Sequence, residues 1–421
     1  MCVSEPLPID EGSQRHMRAG MLTQTLVSMG HQVIWWTSAF NHSSKLQRTD
    51  RSLEMKSPEG VRLWLLHGMG YSHNIGIRRL WNHFQLAHEF NRLAWKELPP
   101  DVIFCCWPTV ELGYAAVCYA ESRSIPILLD VRDLWPDIFL DAAPPPLQPL
   151  AKLALAPYYR MTRSAFRRAS GIVGISEGYL DWGLAKAGRN RNPNDALFPL
   201  GYQAPDWTKA SVSEEQKSLQ SLGIDASRTV CWFLGSFGDT YDLEPIISAA
   251  RLLQARGHMG VQFVLSGGGQ GREKYERLAA GLSNVVFTGW LGSDRIAAMM
   301  QIAHVGIAAY RKGAPQGLPN KIFEYMAAGL PILSSLEGEC KQFLDSNRCG
   351  ISYQAGSAES FLNALTTLKE SKDLAVALGA NALEAFEERY SASIVYPKLV
   401  EHLQGIVAQR LQTTSALAAT S

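Results

Sequence analysis

Gly317-Leu318-Pro319-Asn320-Lys321-Ile322-Phe323-Glu324-Tyr325-Met326-Ala327-Ala328-Gly329-Leu330-Pro331 is the stretch from which the architecture is read. Proline suits the first turn of a helix, a glycine just past the last turn can end it, and a second proline bars its continuation. The spacing predicts a short helix that starts at Pro319, stops at Gly329 and leads through Pro331 into a parallel strand. Its first amides, those of Asn320 and Lys321, form an anion site reinforced by the Lys321 ammonium. Glu324, one turn further in, can accept hydrogen bonds from sugar or ribose hydroxyls. Spacing alone equally allows a capped surface helix carrying a Lys321–Glu324 ion pair.

Outward from this helix, short β-branched or aliphatic runs alternate with longer helical patterns. Strands are expected at 33–37, 102–106, 125–130, 171–175, 230–234, 262–266, 285–288, 305–309 and 331–334. That rhythm predicts an α/β protein with parallel sheets buried on both faces. Residues 192–207, rich in turn formers and holding three prolines, are read as the inter-domain connection. The expected domains are 1–204 and 205–390, with a C-terminal helix at 391–421 packing back on the first. Within that last segment, 394–411 is helical and 413–421 a disordered tail. Only residues 1–3 precede the first loop, which is short for a buried strand.

Two glycine turns follow expected strands, Phe233-Leu234-Gly235-Ser236-Phe237-Gly238 and Leu265-Ser266-Gly267-Gly268-Gly269. Glycine at the carboxyl end of a parallel strand lets a ligand approach backbone amides, although tight strand-to-helix turns need glycine anyway. In the first half, Glu11-Gly12-Ser13-Gln14-Arg15-His16 and Asp130-Val131-Arg132-Asp133-Leu134-Trp135-Pro136-Asp137 fall on the corresponding sheet edge. The carboxylates around Arg132 can hold an acceptor hydroxyl or supply a general base; an Asp–Arg network fixing the loop is the competing reading.

Composition narrows the function. Forty basic against thirty-nine acidic residues give a formal net charge of +1, without the surplus of a general nucleic-acid binder. Seven cysteines show neither a disulfide framework nor metal-ligand spacing, which suits a reducing cytoplasm. A bilayer-spanning run and a signal peptide are both absent from the expected features. The chain has no D-x-D triplet, H-E-x-x-H, G-x-x-x-x-G-K-[ST] or G-x-S-x-G, so no metal and no bound cofactor are expected. Between Asp141 and Glu177 no acidic residue occurs, while Lys152, Arg160, Arg163, Arg167 and Arg168 interleave with apolar side chains. Such a segment can meet an anionic membrane surface or pack one face in the core and solvate the other.

These residues together resemble the retaining GT-B nucleotide-sugar glycosyltransferases of family four, especially the branch that builds bacterial surface polysaccharide. The likeness spans nearly the whole chain. It rests on EGSQRH, DVRDLWPD, LGSFGDTYDLEPIISAA, FVLSGGG, NVVFTGWL and GLPNKIFEYMAAGLPILSS in that order. It implies two Rossmann-like parallel-sheet domains facing a cleft. Asn320 and Lys321 would hold the donor diphosphate, Glu324 the ribose, and the turn at Trp290 and Leu291 would border the nucleobase. Gly12 would approach the diphosphate from the first domain, with Gly235 and Ser236 at the donor and Asp130, Arg132 and Asp133 as catalytic candidates. Three departures stand out: the family's first glutamate in E-x7-E falls on Gln316, its arginine and lysine after the LGS strand fall on Ser236 and Tyr241, and its catalytic-region histidine gives way to the Asp130–Asp133 segment.

The resemblance implies transfer of a sugar from a nucleoside diphosphate-sugar to a lipid-linked glycan in O-antigen or capsule synthesis, on the inner face of the cytoplasmic membrane. A nucleotide-sugar epimerase or hydrolase of the same fold, and a non-catalytic partner-binding subunit, are the alternatives. A dehydrogenase lacks its dinucleotide fingerprint.

Overall fold

The computed structural model describes residues 1–421 except 4, 6, 8, 11–15, 74, 75, 142, 208, 209, 420 and 421. The chain divides into two units, Met1–Leu200 with Val395–Ser421, and Gly201–Ile394.

The first unit runs α1 (Arg18–Ser28), β1 (Ile34–Ser38), β2 (Phe40–Asn41), β3 (Leu46–Gln47), β4 (Leu53–Lys56), β5 (Arg62–Leu66), α2 (Ile77–Ala94), β6 (Ile103–Trp107), α3 (Val110–Ser122), β7 (Ile127–Val131), α4 (Asp137–Asp141), α5 (Gln148–Ala154), α6 (Ala156–Arg168), β8 (Gly171–Gly174), α7 (Glu177–Ala187) and β9 (Ala196–Leu197). Strands β6-β7-β8-β9 form one parallel sheet, while β1 pairs parallel with β5 and β5 antiparallel with β4. Residues 1–3 join these sheets. The Met1 nitrogen donates to the Phe104 carbonyl at 2.6 Å, the Cys106 amide to the Met1 carbonyl at 2.8 Å, and the Cys2 amide to the Trp36 carbonyl at 3.2 Å. The short segment thus occupies the central strand position between β1 and β6. Counted from it, the strands lie third-second-first-fourth-fifth-sixth, the doubly wound order whose winding reverses between first and fourth. Trp107 ends β6 wholly buried and packs edge-on against Phe166 of α6 at 4.8 Å, tying the helix layer to the sheet.

The second unit runs α8 (Ala210–Ser221), β10 (Thr229–Leu234), α9 (Glu244–Ala255), β11 (Val261–Ser266), α10 (Arg272–Leu278), β12 (Val285–Gly289), α11 (Ser293–Ile302), β13 (Val305–Ala308), α12 (Asn320–Ala327), β14 (Ile332–Ser334), α13 (Glu339–Asn347), β15 (Gly350–Ser352), α14 (Ala358–Glu370) and α15 (Lys372–Ala385). Its sheet has the order β12-β11-β10-β13-β14-β15 with every pairing parallel. The same reversal falls between β10 and β13. A final helix, α16 (Ala392–Ala419), closes the chain, and its Leu403 and Ile406 join Leu128 and Val173 in the core of the first unit.

Two doubly wound parallel-sheet units are the expected fold, and all nine expected strands are present within two residues of their expected ends. The tail expected to be disordered is corrected: α16 continues to Ala419, because its alanines and leucine are good helix formers.

Candidate functional site

In the second unit, α12 begins directly after Pro319 and ends before Gly329, whose φ of 62° is the left-handed stop that glycine supplies. The helix is not a surface element: every side chain from Lys321 to Ala327 is buried. Tyr325 fixes its pitch against the sheet, accepting from the Leu234 amide at 3.0 Å and donating to the Ile307 carbonyl at 2.9 Å. These two bonds bind α12 to β10 and β13, the strands flanking the reversal. The first turn of α12 therefore stands where an open α/β sheet offers its ligand crevice.

Lys321 is 5% exposed, and its ammonium nitrogen has no hydrogen-bond partner among the described residues. It is caged by aromatic rings, 4.1 Å from the Phe233 centroid, 4.0 Å from Tyr241 and 5.0 Å from Tyr310. Burial pushes its pKa down to about 7, with Glu324 acting in the opposite sense. Ring faces offset part of the charge, yet an ammonium without an acceptor is costly, so this group is poised to gain from an incoming anion. The Lys321–Glu324 ion pair of an exposed helix is absent among the described salt bridges.

The neighbouring loops are close to this amine. A Cβ on Gly235 would come within 2.9 Å of the Lys321 nitrogen, and one on Gly267, whose φ is +135°, within 1.8 Å of the Gly235 carbonyl oxygen. The Phe237 amide donates to the Gly268 carbonyl at 2.8 Å, locking the two glycine turns together. Ser236 is exposed beside them, and Trp290, 68% exposed, brings its indole nitrogen within 2.8 Å of a Cβ on Gly268. Leu291 follows it, half-buried. Gln316 is half-buried, with a side-chain oxygen that is buried and has no partner among the described residues. Asn320 opens α12 and Glu324 is buried within it.

In the first unit, Asp130 on β7 is fully buried, its two oxygens held by Arg18 at 2.8 and 2.9 Å. Arg132 pairs with Glu5 and lies 3.3 Å from both Cys2 and Cys106 sulfurs. Both residues of the DVRD segment thus serve internal networks. Asp133 differs: it is half-buried, accepts from the Leu134 amide at 2.9 Å, and burial lifts its pKa above the ordinary value while Arg79 opposes that. Gly12 lies outside the described residues.

Sequence reading missed Phe233 and Tyr310 as walls around Lys321, and saw Tyr241 only as the residue standing at a family lysine. It also missed Arg18, the partner of Asp130. An aromatic at the end of each strand flanking the reversal was the available signal for the first group.

Comparison with known proteins agrees with this geometry. Residues 16–195 match the family model described as Glycosyl transferase 4-like domain, and residues 228–371 match Glycosyl transferases group 1. Each doubly wound unit thus carries a match to a glycosyltransferase family domain, and the fold is the GT-B fold. A stretch of 158 residues is 29% identical to the GDP-mannose-dependent alpha-(1-6)-phosphatidylinositol monomannoside mannosyltransferase of Mycobacterium tuberculosis, covering 36% of this chain and 41% of that protein. Similar folds are Anabaena Alr3699/HepE in complex with UDP, with a TM-score of 0.68, 15% identity and coverage of 96% and 98% of the two chains. The alpha,alpha-trehalose 6-phosphate synthase of Burkholderia multivorans gives a TM-score of 0.71 at 14% identity, covering 97% and 99%. WaaG, a glycosyltransferase involved in lipopolysaccharide biosynthesis, gives 0.66 at 16%, covering 96% and 99%.

Proposed function

We propose that this protein transfers a sugar from a nucleoside diphosphate-sugar to a glycan acceptor, with retention of configuration. The observation carrying this reading is the buried Lys321 ammonium, without a hydrogen-bond partner among the described residues, at the winding reversal of the second sheet. Negative charge grows on the diphosphate as the glycosidic bond to the donor breaks. A pre-placed ammonium and the first amides of α12 stabilise that charge where water is excluded. Asn320 and Lys321 hold the diphosphate and Glu324 the ribose. Gly235 and Ser236 line its approach, Trp290 and Leu291 border the base, and Gln316 meets the transferred sugar. Asp133 is assigned to the acceptor hydroxyl, with Asp130 and Arg132 as positioning residues. The chemistry asks for no metal, so turnover is expected to survive a chelator.

The acceptor is assigned as a lipid-linked glycan of bacterial surface polysaccharide, reached from the inner face of the cytoplasmic membrane. Exposed leucines on α5 beside a row of exposed arginines on α6 support this. No helix among the described residues is long and apolar enough to cross a membrane. The test is turnover of a panel of nucleotide sugars with and without lipid-linked acceptor. Acceptor-dependent turnover that Lys321→Ala abolishes supports the reading. Equal sugar release without acceptor identifies a hydrolase instead, and absence of both turnover and nucleotide binding identifies a non-catalytic subunit.

A further inference from the structure

Residues 1–3 and β6 bring two thiols together in the first sheet. The bonds from the Met1 nitrogen to Phe104 and from the Cys106 amide to Met1 set Met1 beside Cys105, and the next residue, Cys2, beside Cys106. Cys2 and Cys106 point to one face, where they share an apolar cluster, while Cys105 belongs to a different cluster. Adjacent strands lie about 4.8 Å apart, inside the Cα separation of roughly 4.4 to 6.8 Å that a disulfide spans. Both sulfurs sit 3.3 Å from the same nitrogen, Arg132 Nη1, while Nη2 of that guanidinium pairs with Glu5.

The two sulfurs are not equivalent. The hydrogen bond with Cys2 is the largest influence on Cys106 and holds its pKa below the ordinary thiol value, with Arg132 acting in the same sense against burial and Asp130. That same bond, together with burial, holds Cys2 well above the ordinary value. Asp130 Oδ2, 3.7 Å from the Cys106 sulfur, already accepts from Arg18 at 2.9 Å. Burial takes other interior thiols upward, Cys105, Cys231 and Cys349 to about 12 and Cys340 to about 11. The thiolate is the reactive form of cysteine, and oxidation-sensing cysteines stand beside a second thiol that resolves the first product. Cys106 is 8% exposed and the Arg132 side chain 17%, so the opening to solvent suits a small oxidant.

We propose that Cys106 and Cys2 form a hydroperoxide-responsive pair that closes to a disulfide between β6 and residues 1–3. The Cys106 thiolate attacks one peroxide oxygen: the S–O bond forms, the O–O bond breaks, and hydroxide leaves to be protonated by solvent. Cys2 then attacks the Cys106 sulfur: the S–S bond forms, the S–O bond breaks, and the oxygen leaves as water with the Cys2 proton. Two electrons pass from the sulfurs to the peroxide, which ends as two waters. Arg132 thereby loses the thiolate beside it, one residue from Asp133, so closure bears on acceptor turnover. That consequence rests on the glycosyl-transfer reading; the thiol chemistry does not.

Hydrogen peroxide treatment of the full chain, read by peptide mass mapping, tests it in a Cys118→Ser background that removes the half-buried thiol. The expected product is a Cys2–Cys106 linkage that dithiothreitol reverses, with Cys105, Cys231, Cys340 and Cys349 still reduced. Adding Cys106→Ser should leave Cys2 reduced. Adding Cys2→Ser instead should halt the reaction at the sulfenic acid, captured on Cys106 by dimedone, and this variant decides the matter if Cys106→Ser does not fold. The linked protein should transfer sugar more slowly than the reduced one and recover with dithiothreitol, while UDP and GDP binding by calorimetry holds. The proposal is overturned if Cys2 and Cys106 stay reduced under peroxide, if the buried thiols of the second unit oxidise as readily, if dimedone in the Cys2→Ser protein marks a cysteine other than Cys106, or if the linked and reduced proteins turn over alike. Absence of turnover before any oxidation would remove the glycosyl-transfer reading instead, and the mass mapping then decides the thiol pair by itself.

Discussion

The Lys321 ammonium lies 4.0 Å from the centre of the Tyr241 ring, buried and with no hydrogen-bond acceptor among the described residues. Tyr241 offers this charge an aromatic face, where a second cation would repel it. The arrangement trades stability for a pre-placed charge, as ligand sites often do.

Lys321→Met is therefore expected to raise the melting temperature and to remove nucleotide binding. With a folded pKa near 7 against 10.5 for the free side chain, the unfolded chain holds the proton more firmly across that window. The lysine's cost is full below about pH 7 and fades as pH rises toward 10.5. The gain from methionine should be larger at pH 6 than at pH 9 in thermal melts. A variant less stable than the parent at pH 6 would mean that the amine has a structural acceptor.

Nucleotide binding should draw in a proton above neutral pH. A diphosphate beside Lys321 favours the charged amine, so the bound complex holds the proton that the free protein gives up near pH 7. At pH 8 the measured binding enthalpy should differ between phosphate and Tris buffers by a fraction of a proton's ionisation heat, and at pH 6 it should not. Buffer-independent enthalpy at pH 8 would count against Lys321 as the phosphate contact.

Gly235 and Gly267 separate function from folding. Alanine at Gly267 would set its Cβ 1.8 Å from a backbone oxygen at a φ of +135°, where nothing flexible can yield, so it should destabilise severely. Alanine at Gly235 meets the end of the Lys321 side chain at 2.9 Å, which can shift. It should melt within a few degrees of the parent yet bind nucleotide more weakly.

Strand positions and the α12 helix were legible because buried parallel strands read as continuous apolar runs and because proline and glycine mark helix ends. The exposed hairpin strand Leu53–Lys56 and the three-residue Gly350–Ser352 lack such a run. Lys321 and Glu324 were visible in a local motif. The cage of Phe233, Tyr241 and Tyr310 joins residues up to 77 positions apart, and the Arg18–Asp130 pair residues 112 apart, which no local pattern reports.

Asp130 and Asp133 should respond oppositely. Asp130→Ala strands the buried Arg18 guanidinium and should cost about 3 to 5 kcal/mol of stability, seen in denaturant melts. Asp133→Asn keeps the hydrogen bond from the Leu134 amide and should melt like the parent while lowering acceptor turnover. A stable Asp130→Ala protein would return that residue to the list of direct participants.

The outer surface of the first unit makes the membrane prediction specific. On α6, Thr162, Ala165 and Phe166 face the core while Arg160, Arg163 and Arg167 are exposed at helical spacing on the other side. Arg168 is spoken for by Glu121. Before α6, Leu147, Leu150 and Leu153 are 53%, 66% and 72% exposed, with Lys152 exposed among them. Packing one face in the core and meeting a bilayer are thus compatible, with leucines supplying the apolar contact and arginines the charge. Each basic residue near an anionic surface contributes about 1 kcal/mol, so Arg160→Ser, Arg163→Ser and Arg167→Ser together should weaken binding to anionic vesicles by about two orders of magnitude. Leu150→Ser with Leu153→Ser should weaken binding to anionic and neutral vesicles alike, since it removes apolar burial and not charge. Salt should weaken the parent and leave the triple arginine variant little changed, because charges are screened over about 10 Å at 0.1 M ionic strength. Vesicle co-sedimentation that is equal for all three proteins would place the membrane contact elsewhere on the chain.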